Sequence, residues 1–267
     1  MAEPPLHGCT VCTASDRAAA LVLAESFLAY HPDGTFTVLA ADADAHSPSF
    51  STGNLIELTI DGLRFGSLDP REQLPTEPAL RCLAVRPWLL STLLDAGRSP
   101  CVLIDPNGLV TRSLSRFAIV ATHTGAALTA RVLEPVLPAE PAVECNLEVL
   151  QRGVVEPGLL TIADVPGGRD LLRWWKSSGL RGAAERRLLD MALGFGHPIV
   201  RDAGLGLSRW NIHERPLSRD SRGLACGDSP LRVALFDGLT TIDPMDGLLQ
   251  QLVDEHEHLL REMERRL

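Results

Sequence analysis

The sequence predicts an α/β fold built on a mostly parallel sheet with helices on both sides. β-like and helical segments alternate along the N-terminal half, and the strand-like run PCVLID, residues 100–105, is apolar throughout, as a strand covered on both faces should be. Ligands bind beyond the carboxyl ends of the strands in such sheets. Four polar residues lie at three of the predicted strand ends, namely Thr13 at the first, Asp42 and Asp44 at the second, and Asp105 at the third.

The first elements follow from hydrophobic periodicity and turn residues. HGCTVCTAS is a β-like run, and an amphipathic helix is predicted over 16–31, ending at Pro32-Asp33-Gly34. The segments after it are a strand over 35–42, a strand over 55–60, a helix over 78–97 and the strand over 100–105.

The second half is less regular. We predict strands over 118–124, 198–204 and 230–238, and helices over 168–179 and 183–196. Residues 246–267 are predicted as a C-terminal helix that follows a single domain over 1–245. Its apolar stripe is typical of a helix packed on the domain or of a short coiled-coil seam with a partner, and consists of Leu249, Leu252, His256, Leu259, Met263 and Leu267.

Composition excludes several classes of protein. The 267 residues carry a formal net charge of −9, which argues against a general nucleic-acid binder. No apolar run approaches the roughly 20 residues of a membrane span, and the N-terminus does not resemble a secretory signal. The six cysteines are scattered, and no second pair accompanies Cys9 and Cys12, so we expect free thiols in a cytoplasmic protein.

Several segments in consistent order resemble bacterial glycosyltransferases of the A-type fold, close to the glycogenin and lipopolysaccharide-glucosyltransferase group. These are residues 10–44, RCLAVRPWLLSTLLDAG (81–97), CVLIDPNGLVTRSL (101–114), VRDAGLGLSRWNIHERPL (200–217) and LRVALFDGL (231–239). The resemblance implies a single Rossmann-like, mostly parallel sheet flanked by helices. It also implies that the domain over 1–245 binds a nucleotide sugar.

The resemblance further implies a set of site residues. Asp105 would contact the ribose or a divalent metal, Mn²⁺ or Mg²⁺, and Asn107 would be the second metal ligand. Arg86 and His213 would stabilise the leaving diphosphate. The remaining donor-binding positions would be Thr13 and Ala14 at the base, Asp42 or Asp44 at the base or ribose, and Asn211 in the late loop.

Several positions depart from the family pattern. Asn107 is neutral where the family usually has aspartate, and Leu235 stands where the family has a metal-binding histidine. Asp237 could substitute, since strand positions two apart share a face. Three further family elements are altered, at Asn146-Leu147-Glu148, at 185–188 and at Leu205-Gly206. These losses weaken the predicted metal site.

Three functional hypotheses follow. The protein transfers a hexose from a nucleotide-diphosphate sugar to an acceptor that the sequence does not identify; or it does so without a metal, with arginines in place of the cation. Alternatively, it is a catalytically inactive relative that acts as a binding or scaffold protein. In that case a protein partner or a second copy would bind at Trp174 and Trp175 or at the terminal helix.

Overall fold

The computed structural model describes residues 5–42, 50–65, 74–134, 147, 149, 151, 153–177, 190, 192–239 and 247–267. Its helices are α1 (Arg17–Tyr30), α2 (Pro78–Asp95), α3 (Ser115–Thr124), α4 (Pro166–Ser177) and α5 (Gly247–Arg266). Strands of the N-terminal half are β1 (His7–Cys12), β2 (Phe36–Ala40), β3 (Phe50–Thr52), β4 (Leu55–Thr59), β5 (Cys101–Ile104), β6 (Gly108–Val110) and β7 (Ala126–Ala130). Those of the C-terminal half are β8 (Val155–Ile162), β9 (Ile199–Val200), β10 (Leu205–Leu207), β11 (Leu217–Asp220), β12 (Gly223–Cys226), β13 (Ser229–Pro230) and β14 (Val233–Leu235).

The central sheet has eight described strands in the order β3-β4-β2-β1-β5-β8-β7-β9. Pairings β4–β2, β2–β1, β1–β5 and β7–β9 are parallel, whereas β3–β4, β5–β8 and β8–β7 are antiparallel. The predicted α/β class is therefore confirmed, and the sheet is mixed, with β8 reversing direction beside β5. The described residues also form two small three-stranded sheets that periodicity does not predict, β10-β14-β6 and β11-β12-β13.

Helices cover both faces of the central sheet. One apolar layer contains side chains of α1, α3 and α5, and the other contains side chains of α2 and α4. Strand β5 shows why both layers are needed: Val102 and Ile104 belong to the first, and Cys101 and Leu103 to the second. Successive side chains of a strand point to opposite faces, so a strand buried on both faces is apolar at every position.

The predicted strand over 118–124 is wrong, because these residues form most of helix α3. Phe117, Ala118 and Ala121 are its buried residues, and their spacing is that of one helical face. Gly125, at φ 90°, ends the helix in a conformation that glycine adopts without steric cost. The β-branched residues within 118–124 have a high strand propensity. The segment is nevertheless helical, because the helix buries one apolar face against the core.

The terminal helix packs on the domain. Leu249, Leu252 and Val253 of α5 are buried in the same apolar layer as α1, and the His256 ring stacks on Phe236 with centroids 3.8 Å apart. Leu267, the last residue of the predicted stripe, is 59% exposed. The described part of the chain contains no helix that is both long enough and apolar enough to cross a membrane.

The predicted helix over 183–196 lies largely outside the described residues. Its described end, Ala192–Phe195, is a short 3₁₀ turn. Residues 185–188, Asn146 and Glu148 also lie outside the described part of the chain, so the predictions made for them stay predictions.

Candidate functional site

A cavity of about 240 Å³, here called the central cavity, opens at the edge of the sheet where β5 ends. Helix α2, strands β5 and β8, and the segments around 208 and 235 all contribute to its wall. The lining residues are Ala79, Leu83, Arg86, Asp105, Arg131, Glu156, Pro157, Ser208, Trp210, Leu235 and Asp237. Its position is the one at which open α/β sheets bind their ligands.

Arg86 and Asp105 form an ion pair in the wall of this cavity. Arg86 Nη2 donates to Asp105 Oδ1, and Arg86 Nη1 donates to the carbonyl oxygen of Pro157 at 3.0 Å. The Arg86 side chain is 7% exposed and that of Asp105 is 31% exposed. Helix α2 thus presents a guanidinium that strand β8 and the end of β5 hold in place. Both residues were predicted as site residues, but not as an ion pair.

Gly158 allows the backbone of β8 to approach Asp105. The Asp105 amide donates to the Gly158 carbonyl at 2.8 Å. A Cβ at position 158 would lie 2.4 Å from Asp105 Oδ2 and 3.0 Å from its Cγ. Any larger residue would therefore displace the carboxylate. The sequence reasoning looked for such a close approach at 146–148 and missed this one.

A second arginine and a second carboxylate complete the far wall. Arg131 Nε donates to the Gly153 carbonyl at 3.1 Å, and Arg131 Nη1 lies 3.8 Å from Glu156 Oε2. The guanidinium carbon of Arg131 lies 5.4 Å from the centre of the Trp210 ring, within cation–π distance. Burial raises the pKa of the Glu156 carboxyl group, against the opposing effect of Arg131.

Asn211 organises the loop that carries Ser208 and Trp210. Its Nδ2 donates to the carbonyl oxygens of Arg131 and Gly206 at 2.9 and 3.0 Å, and its Oδ1 accepts from the Ser208 amide at 2.9 Å. Asn211 is fully buried and does not line the cavity. The structure therefore places this predicted donor-binding residue behind the wall, where it positions the loop.

His213 does not line the central cavity and its side chain is exposed. The neighbouring Glu214 anchors this loop, because its two carboxylate oxygens each accept a backbone amide, from Leu133 and Glu134, at 2.7 Å. The predicted contact between His213 and a diphosphate has no counterpart in the described geometry of this cavity.

Strand β14 contributes Leu235 and, just beyond its end, Asp237. Both line the cavity, which fits the prediction that these two positions share a face. Asn107 is not part of the lining, and its backbone carbonyl accepts from the Phe236 amide at 2.8 Å, which joins the Asp-Pro-Asn-Gly turn to β14. Asp105 and Asn107 therefore belong to one turn, and of these two residues Asp105 lines the cavity.

The predicted base-binding residues lie at the ends of β1 and β2. The Ala14 amide donates to Asp42 Oδ1 at 2.7 Å, which ties the two strand ends together. Thr13 Oγ1 donates to Asp16 Oδ2 at 2.6 Å, at the entry to α1. Asp44 lies outside the described residues. Thr13, Ala14 and Asp42 lie at the carboxyl edge of the sheet, and none of them lines the central cavity.

Solved structures with the same architecture are glycosyltransferases. A complex of the galactosyltransferase LgtC with donor and acceptor sugar analogues matches at a TM-score of 0.54 and 14% identity, over 96% of this chain and 95% of that chain. An active-site mutant of LgtC matches at 0.52 and 15% identity, over 93% and 95%. No protein-family model matches the sequence, nor does any curated protein. At this identity the likeness establishes the fold, which is the A-type glycosyltransferase fold.

Sequence reasoning missed Arg131, Glu156 and Ser208. They lie far apart in the chain and meet only because β7 and β8 are neighbours and the loop at 208 folds over them. One signal was present in the sequence: VEPGLLTI, the whole of β8, is an apolar run interrupted by a carboxylate next to Pro-Gly. A charged residue at such a position is rarely buried without a partner, and Glu156 is buried beside Arg131.

Proposed function

We propose that the protein binds a nucleotide-diphosphate sugar at this edge of the sheet and transfers its hexose to an acceptor. The observation that carries the proposal is the convergence of two buried arginines, Arg86 and Arg131, on one cavity beyond the carboxyl end of β5. Guanidinium groups recognise phosphate oxygens with directed, charge-assisted hydrogen bonds. The fold is one that known glycosyltransferases share.

A buried hydroxyl without a protein partner also supports a ligand in this cavity. Ser208 lines it and is 3% exposed, and its Oγ is one of the buried polar side-chain atoms of the described residues that has no hydrogen-bond partner. A buried donor left unsatisfied costs about 1–3 kcal/mol, so such groups often mark a site completed by a ligand. A sugar hydroxyl would satisfy it.

In the proposed reaction, the chain's own groups bind and orient the donor. Arg86 and Arg131 hold the diphosphate as negative charge grows on it during cleavage of the sugar–phosphate bond. The carboxylate of Asp105 fixes the Arg86 guanidinium and has one oxygen for the ribose or sugar hydroxyls. The aromatic ring of Trp210 supports the Arg131 guanidinium from one side.

A binding protein without catalysis is the second candidate, and Leu235 favours it. This residue places an apolar side chain in the cavity where the related enzymes are expected to have a metal-binding histidine. Trp174, which the same hypothesis assigns to a partner surface, packs against the half-exposed Phe195 with ring centroids 5.5 Å apart.

Calorimetric titration with a panel of nucleotide-diphosphate sugars tests the proposal. We expect saturable binding of at least one donor and slow release of free sugar from it, since glycosyltransferases that bind a donor can transfer to water. Binding without any release of sugar would support the second candidate. The absence of binding across the panel would contradict the proposed function.

A further inference from the structure

We propose that the central cavity holds the diphosphate of its ligand between two guanidinium groups, those of Arg86 and Arg131, without a divalent metal ion. This inference rests on the proposed function, since it concerns how the same donor is held. It departs from the metal site that the family resemblance implies, and it identifies Arg131 as a phosphate-binding residue.

The residues present do not fit a site for a hard divalent metal. Mg²⁺ and Mn²⁺ require several oxygen ligands around one point. Asp105 is engaged by Arg86, Asn107 does not line the cavity, and Leu235 offers no ligand atom. Among the described residues, no group of three or more histidine, cysteine, aspartate and glutamate side chains could hold a metal ion.

The two arginines are held as a built site. Arg86 is 6% exposed and Arg131 is 4% exposed, and both line the cavity. Backbone carbonyls of β8 and its preceding residues fix both: Pro157 accepts from Arg86 at 3.0 Å, and Gly153 accepts from Arg131 at 3.1 Å. Because their side chains are already ordered, the entropy lost on binding an anion is small.

The local charges are compatible with an anion. Asp105 and Glu156 each face one of the two guanidinium groups, and Asp237 is exposed to solvent at the mouth of the cavity. Glu156 lies 3.8 Å from Arg131 Nη1, and burial raises the pKa of its carboxyl group. Arg209 adds a third guanidinium next to the cavity wall, 4.1 Å from the centre of the Trp210 ring.

The test uses the full chain and simple probes, namely the diphosphates of uridine, guanosine, adenosine and thymidine. Each is titrated by calorimetry with Mn²⁺ present and with excess EDTA. We expect the dissociation constant of the best probe to agree within about twofold between the two conditions. Arg131→Gln should weaken binding of that probe about tenfold or more, because it removes a charge-assisted contact.

Two controls separate binding from folding. Arg222→Gln removes an exposed arginine, 86% exposed in its side chain, and should leave the affinity unchanged. Arg131→Lys keeps the charge but loses the planar fork, so it should bind more weakly than the wild type even if Arg131→Gln fails to fold. Thermal unfolding of each free variant reports whether the fold is intact.

Three other results of these titrations would contradict part or all of the proposal. Binding at least about tenfold tighter with Mn²⁺ than with EDTA would overturn the metal-free site and leave the proposed function standing. Arg131 variants that fold and bind like the wild type would overturn the role of Arg131. If no nucleoside diphosphate binds in either condition, both the inference and the proposed function fail.

Discussion

The central cavity has two halves that originate from different parts of the chain. The early half, residues 79–105, comprises one face of α2 and the end of β5, and contributes Arg86 and Asp105. The late half, residues 131–237, comprises the end of β7, the start of β8, the loop at 208 and the end of β14. Arg86 and Asp105 in the early half match the pattern that the resemblance implies, whereas Leu235 in the late half departs from it.

The two halves also differ in how their charged side chains are held. In the early half, Arg86 is held by its ion pair with Asp105 and by the carbonyl oxygen of Pro157. In the late half an apolar leucine occupies the expected ligand position, and Arg131 with Glu156 supplies charge from a neighbouring strand. Under the proposed function, arginines of both halves would neutralise the charge of the donor.

The largest effect is expected from breaking the early half. Arg86→Met removes the ion pair with Asp105 and, under the proposed function, one phosphate contact. The free energy of unfolding should fall by about 2–3 kcal/mol, less than for a fully buried pair because Asp105 is 31% exposed. Urea denaturation measures the first effect and donor titration the second. Arg86→Lys should recover part of the stability and little of the affinity, and equal stability of Arg86→Met and the wild type would show that the pair contributes nothing.

The contact between the halves can be tested at Gly158. Gly158→Ala places a Cβ 2.4 Å from Asp105 Oδ2, so the carboxylate must move. We expect about tenfold weaker donor binding. The matched control is Gly194→Ala, since a Cβ at that position meets no atom within 4 Å. Unchanged donor affinity in the first variant would mean that the position of Asp105 is not critical.

Restoring the family pattern at Asn107, which follows β5, and at Leu235, in the late half, tests the alignment with that family. The double variant Asn107→Asp and Leu235→His adds a carboxylate and an imidazole near Asp105. We expect a gain in Mn²⁺ affinity, by about tenfold or more, measured by calorimetry of the free protein. The single variant Leu235→His is the control for imidazole alone. If the double variant binds Mn²⁺ no better than the wild type, these two positions do not flank a metal site.

The smallest predicted effect is on the pH dependence of stability, and it comes from Glu156. Burial raises its pKa in the folded protein, so above its ordinary pKa the folded state binds more protons than the unfolded state. Stability from this residue is therefore fully present at low pH and falls as the pH rises through the raised pKa. Glu156→Gln should remove this fall, and denaturation at several pH values measures it. Glu255→Gln, an exposed substitution on α5, should keep the wild-type slope, and a slope shared by all three proteins would contradict this account of Glu156.

The charged cavity residues of the early half could be predicted from the sequence, whereas Arg131 and Glu156 of the late half could not. Asp105 follows an apolar strand, so the strand-end pattern singled it out, whereas Arg86 was assigned to the site only through the resemblance of the segment 81–97 to the family. Arg131 and Glu156 could not be paired without knowing that β7 and β8 are neighbours, a long-range contact that no periodicity encodes. Helix α3 was mistaken for a strand because its β-branched residues suit either structure, and only packing decided.

The predicted roles of Asn211 and His213 show the limits of a motif. The segment over 200–217 was recognised, but which of its side chains faces the cavity depends on the turn geometry at 208–211. There the Asn211 amide is used by three backbone groups, while Ser208 and Trp210 face inward. The motif therefore located the loop but did not identify which of its side chains line the cavity.

Hydrogen–deuterium exchange of the protein saturated with its best nucleoside diphosphate tests most directly whether the ligand binds between the two halves. We predict slower exchange at both 103–108 and 153–160, the segments that carry Asp105 and Glu156, with no change at 217–226. That last segment borders a second cavity of about 630 Å³ on α1 and α5 and serves as the internal reference. Protection confined to 217–226, with the segments of both halves unchanged, would contradict the account.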